Sequence, residues 1–167
     1  LRGTRVAGAG TTLWRHDVHG GPPSCIARAQ VAIPWDAGAQ VAEAFGCCAA
    51  LSLLEHLDTD PRSARIVGDN LGVIRYCAGT ARLRRATMQA QLERSMGNVL
   101  ARGWSLTWQA VRRRLNTAAD VLATSGVRWA AQLADAGQYA VQTHVQWHED
   151  DPDQNNSNHP DLASHAA

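Results

Sequence analysis

Alternating and continuous runs of apolar residues divide this chain into elements before any chemistry is considered. Residues 6–16, VAGAGTTLWRH, read as a strand entered from a glycine-containing turn, with Thr and Trp favouring extended backbone. HGGPP at 19–23 is dense turn punctuation. A second strand over 24–33 sets Cys25, Ala27, Ala29 and Val31 against Ser24, Arg28 and Gln30, so the two strands form a hairpin. Pro34 and Asp36 end that strand and offer a helix cap. The next helix, over 39–57, is almost wholly apolar on its core side. ARIVG at 64–68 has the short continuous pattern of a buried strand, after which Asp69 and Asn70 cap a helix that Gly79 closes. A third helix over 87–103 ends near Gly103. WSLTWQAV at 104–111 alternates again, with Trp104, Leu106, Trp108 and Ala110 on one side. Asn116 then opens a last helix running to Gln138. Residues 139–167 have little to bury and are expected to be a disordered polar tail. The order of elements predicts one mixed α/β domain over residues 1–138, layered two or three deep.

Composition narrows the function classes only a little. The 167 residues suffice for one core, and a net charge of +1 gives no global field towards polyanions or membranes. All 16 basic residues are Arg, a bias that reflects base composition as much as chemistry. The local clusters Arg82, Arg84, Arg85 and Arg112, Arg113, Arg114 still matter, because guanidinium groups suit phosphate. Cys25, Cys47, Cys48 and Cys77 lack paired metal-ligand spacing and read as small buried thiols in a reducing compartment. No secretory signal is evident, which favours an intracellular setting, and the apolar run from Cys47 to Leu54 is too short for a bilayer. The chain opens at Leu1 in what reads as a glycine turn, so it is expected to be a fragment of something longer.

Three acids stand out against this background. Glu43, Asp69 and Asp120 each interrupt a stretch that would otherwise bury well, at what reads as the start of a helix. A carboxylate in such a place costs several kcal/mol unless a cation or a hydrogen-bond donor compensates it. Taken singly, each has a bland account. Glu43 is a first-turn acid favoured by the helix dipole, Asp69 is an N-cap, and Asp120 is a solvated acid one turn after Asn116. Against this, small residues beyond Glu43, such as Gly46 and Ala50, would let its helix lie close on a sheet, and Asp69 follows a strand's carboxyl end, where α/β sheets bind ligands. Taken together, three buried-context acids point to a shared cation. His144 and His148 have helical i, i+4 spacing with Glu149 beside them, but no third ligand is evident, and His16 and His19 flank a turn. There is no phosphate-binding loop and no nucleophile motif.

The stretches AGAGTTLW, AQVAEAFGCCAALSLL, RIVGDNLGVIRYCAG and WQAVRRRLNTAADVLA, in this order, resemble the type 1 ribonuclease H domain of retroelement polyproteins and plant reverse-transcriptase-like proteins. The resemblance covers most of residues 6–125. It implies a mixed sheet, an antiparallel set followed by parallel strands, with helices on both faces. It also implies four carboxylates, of which Glu43, Asp69 and Asp120 match the second, third and fourth as catalytic and metal-holding residues. Mg²⁺ or Mn²⁺ would be the cofactor, and an RNA–DNA hybrid the partner, within a polyprotein that also carries a reverse transcriptase. Asn70, Asn116 and the Arg residues 82, 84, 85 and 112–114 become candidates for contacts to nucleic acid.

Two departures qualify the resemblance. The family's first carboxylate lies on its central strand before the turn at LRGT, and nothing here matches it; Asp17 and Asp36 lie too far along to substitute. The expected sheet therefore lacks its first central strand, and two unpaired edges should face each other across the gap. The family's active-site His corresponds to Ala110. Alongside an endoribonuclease acting on the RNA strand, the alternatives are a degenerate, non-cleaving module that still binds nucleic acid, and a structural domain whose three acids are merely caps.

Overall fold

The computed structural model describes residues 5–16, 19–60 and 62–148. In chain order the elements are β1 (Ala7–Arg15), β2 (Ser24–Ile33), α1 (Ala39–Glu55), β3 (Ser63–Gly68), α2 (Leu71–Cys77), α3 (Ala86–Ala101), β4 (Ser105–Ala110), α4 (Thr117–Asp135) and β5 (Gln142–Trp147). A single 3₁₀ turn, Arg113–Leu115, leads into α4. The class is α/β with antiparallel and parallel pairing, as the element pattern predicts.

β1 and β2 pair antiparallel from Ala7↔Ile33 to Leu13↔Ala27, then skip Ile26 and resume at Trp14↔Cys25. That extra residue is a bulge, and it lets neighbouring Ile26 and Ala27 both turn inward, into different apolar clusters. β3 and β4 run parallel in register Ser63↔Ser105 through Gly68↔Ala110. Among the described residues the two pairs belong to separate sheets, ordered β1-β2-β5 and β3-β4. What joins them is α1, which packs on β1, β2 and β3 and is buried at nine positions including Val41, Ala44, Leu51 and Leu54. One cluster lies between α1 and the antiparallel sheet (Ala29, Val31, Ile33, Leu53, Leu92), the other between α1, α3 and the parallel pair (Leu51, Leu54, Ile66, Val99, Trp104).

α4 covers the opposite face of β1 and β2, where Ala32, Ala130 and Leu133 are buried. Alternation explains the division: Ala9 turns towards Gly46 of α1, while Gly8 and Gly10 turn towards α4 and bring strand and helix backbones into contact. Helices on both faces therefore hold for the antiparallel sheet. On the parallel pair the second face stays open, and Arg65, Val67, Thr107 and Gln109 along it are exposed.

Three expectations need correction. Gln142–Trp147 belongs to no polar tail: it is β5, antiparallel to β2 from Ala27↔Trp147 to Ala32↔Gln142. Its odd residues Thr143, Val145 and Trp147 sit opposite Val31, Ala29 and Ala27, and the last two join the core. That pattern was present in VQTHVQW but is masked by the acids that follow; residues 149–167, Glu149 among them, lie outside the described residues. His144 and His148 consequently lie on extended chain, roughly 13 Å apart along it, rather than one helical turn apart. Asp36 caps nothing, since α1 starts at Gly38 without a side-chain cap. Asp17 lies outside the described residues.

β1 and β3 each keep one edge without a strand partner among the described residues. Unpaired edges recruit other strands. The chain of residues 1–167 alone should therefore self-associate in sedimentation runs over a rising concentration series. A monomer with one sharp thermal transition throughout that series would contradict this.

Candidate functional site

Glu43, Asp69 and Asp120 are delivered to one region by three different elements. Glu43 stands in the first half of α1, half-buried. One turn on, a Cβ on Gly46 would touch the Ala9 Cβ at 3.4 Å, so the small residue brings α1 close onto β1 as its stripe predicts. Asp69 follows the last residue of β3, and Asp120 lies in the first turn of α4.

Their electrostatics are coupled. Burial pushes the Glu43 carboxyl above its ordinary 4.5, and the charges of Asp69 and Asp120 push the same way, opposed by Arg113. Glu43 thus lies within electrostatic reach of both Asp69 and Asp120 despite their separation in sequence.

Each Asp has a partner. Asn116 Nδ2 donates to Asp69 Oδ1 at 3.0 Å, linking positions 47 residues apart. Arg113 donates to Asp120 Oδ1 through Nη2 at 2.5 Å and Nε at 3.1 Å. Its guanidinium is held charged first by Asp120, then by Asp69 and Glu43.

These partners displace the bland accounts of two residues. Asn116 occupies the N-cap position of α4, yet its side chain makes no capping bond and reaches Asp69 instead. Asp69 is likewise no cap: Asn70 Oδ1 alone accepts from Gly72 N at 3.1 Å and Val73 N at 3.2 Å. The Asn70 oxygen is therefore committed to opening α2. Arg82, Arg84 and Arg85 are exposed in the loop between α2 and α3, and Arg112 and Arg114 are exposed beside the 3₁₀ turn. Arg113 is the one basic candidate drawn into the acidic group, which its place in an Arg run did not foretell. Ala110 ends β4, exposed, with no imidazole to contribute.

Carboxylate oxygens suit hard divalent cations such as Mg²⁺. The donor chemistry fits, but the placement falls short of a closed ligand set. Among the described residues no three His, Cys, Asp or Glu side chains are grouped closely enough to hold a metal ion. An open hollow of about 420 Å³ lies elsewhere, on the flank of α4 facing β5, lined by Gln30, Ser125, Arg128, Trp129, Gln132 and His144. The cysteines are free thiols, Cys47 buried and the other three partly so, and burial raises Cys48 to about 11 and Cys77 to about 12.

No helix among the described residues is long and apolar enough to cross a membrane. No protein-family model matches the sequence, and no curated protein matches it at a significant level.

Proposed function

We propose that this chain is a ribonuclease H-like domain whose Glu43, Asp69 and Asp120 serve metal-dependent hydrolysis of the RNA strand in an RNA–DNA hybrid. The observation that carries the reading is that Glu43 on α1 lies within electrostatic reach of both Asp69, at the end of β3, and Asp120, at the start of α4. The mixed pairing supports it, as does the order in which the acids occur along the chain. In this reading Asn116 fixes the orientation of the Asp69 carboxylate, and a cation beside Glu43 would offset the burial and the like charges that disfavour its ionised form. The chemistry that Mg²⁺ or Mn²⁺ would supply when bound is activation of a water and stabilisation of the leaving 3′ oxygen. Recognition of RNA would come through 2′-hydroxyl contacts, and the exposed Arg82, Arg84, Arg85, Arg112 and Arg114 would supply the phosphate contacts. Such contacts make binding fall as salt rises.

A second reading is favoured by the Arg113–Asp120 pair and by Ala110: a degenerate module of the same fold that holds hybrid without cutting it. The two separate in an assay with end-labelled hybrid and Mg²⁺ or Mn²⁺. The chain is tested alone and joined to a strand segment bearing the family's first carboxylate. RNA-strand products that disappear with EDTA support hydrolysis. Retention of hybrid without any metal-dependent product supports the binding module.

A further inference from the structure

We propose that the open hollow between α4 and β5 is a binding site for one unpaired nucleotide of a single-stranded nucleic acid, its base on Trp129 and its phosphate on Arg128. The inference does not rest on the hydrolysis reading. The hollow lies on the sheet face that α4 covers only in part, and its lining shares no residue with the carboxylate group.

Two periodicities build the lining. Gly10, Gln30 and His144 are cross-strand partners in β1, β2 and β5, and Gly10 faces α4, so all three share that side of the sheet. α4 seats on β1 and β2 and leaves β5 beyond its flank. That flank carries Ser125, Arg128, Trp129 and Gln132 at i, i+3, i+4 and i+7, one continuous helical row. A row bordering a sheet ordinarily buries apolar side chains; here only Trp129 is apolar. It is half-buried against Ala32, Ala130 and Leu133, so its indole is anchored and needs little further ordering to receive a base. Gln30 and Gln132 each donate and accept, which suits the edge of any base. Arg128 is exposed, and among the described residues no ion pair occupies its guanidinium. None of the six lining residues is acidic; the nearest acid along the helix, Asp135, stands at its last position, beyond Gln132. One side-chain row on, roughly 7 Å along β2, Arg28 is exposed on the same face and offers a cation to a following phosphate. An open hollow of about 420 Å³ encloses little of a free small molecule, whereas a strand continuing past Arg28 gains contacts outside it. An acidic peptide would use the cations and leave the indole without a flat partner.

The test follows the fluorescence anisotropy of a short labelled oligouridylate titrated with the whole chain in EDTA, where no metal-dependent cleavage intervenes. Trp129→Leu, which keeps an apolar side chain against Ala32 and Leu133, should weaken binding about five- to hundredfold, the loss of one base–aromatic stack. Arg128→Gln should weaken it as well and lower the salt slope by about one phosphate's share. Arg94→Gln, exposed on α3 beyond the other face of the sheet, controls for net charge and should bind as the parent does. Irradiation of the parent with 5-iodouridine in the oligonucleotide should place the cross-link on Trp129, a readout that needs no variant to fold. No binding, a cross-link elsewhere, or equal weakening in Arg94→Gln overturns the proposal. So does displacement by polyglutamate or polyphosphate as effective as that by unlabelled oligouridylate, which would mean a patch that reads charge alone. None of these results bears on metal-dependent cleavage, so the hydrolysis reading stands or falls by its own assay.

Discussion

Replacing Gly126 with alanine should cost about 3 kcal/mol, the upper part of the range for overpacking a close contact and a large share of a small domain's stability. A Cβ at this position would lie 2.3 Å from the Val31 carbonyl oxygen and 3.3 Å from that of Ala9, both backbone atoms that no rotamer change can move. The same contact is prepared from the strand side, where a Cβ on Gly8 would meet Val127 N at 2.4 Å. To admit one methyl group, α4 must lift from β1 and β2, and it would carry Asn116 and Asp120 with it. Gly97 provides the control. It lies in α3 with nothing within 4 Å of its built Cβ, so alanine there should add about 0.5–1 kcal/mol through helix propensity alone. Urea unfolding of the three proteins decides the matter. Equal midpoints for Gly126→Ala and the parent would mean that α4 does not seat on the sheet as described.

Glu43→Gln should produce opposite changes in activity and stability. If Glu43 helps hold a divalent ion, hybrid cleavage should fall at least about a hundredfold, since a neutral amide is a poor ligand for a hard cation. The fold should become more stable, because burial and the charges of Asp69 and Asp120 all disfavour the ionised carboxyl, with Arg113 opposing only in part. The sign follows from linkage. A carboxyl whose folded value is raised binds its proton more tightly in the folded state. Its penalty is complete above the raised value and is relieved as pH falls through that value towards the ordinary 4.5. Melting temperature measured from pH 7 down to 4.5 should therefore favour the glutamine variant most at neutral pH, with the two curves converging in acid. A glutamine variant that melts lower than the parent at pH 7 would mean that Glu43 is a stabilising surface charge.

Local pattern made much of this fold legible. β2 occupies the ten residues its alternation predicts, and β1 and β4 lie within a residue of their expected ends, because each strand packs against helices. Gly79 and Gly103, at φ of 77° and 84°, end their helices as read, since those turns need a residue without a side chain. β5 escaped notice because its apolar positions are few, and because its stability comes from pairing with β2, a partner more than a hundred residues away. The acids were visible as interruptions of apolar stretches, and burial of Glu43 gives that cue its physical content. Their partners were not visible. Asn116 looked like a cap and Arg113 like a phosphate contact, and only the approach of α4 to the end of β3 makes one a bridge and the other a counter-charge. Sequence spacing carries periodicity well, but the choice between two acceptors for one donor is settled by tertiary distance.

No strand pairing joins β1 to β3, so the two halves of the molecule meet along a seam of side chains under α1 rather than a ladder of amides. Such a seam resists separation less stiffly than continuous sheet, and Asp120 and Asp69 ride on opposite sides of it. A small slide there would change the spacing of the two carboxylates without unfolding anything. The Asn116–Asp69 bond crosses the same seam and would oppose such a slide.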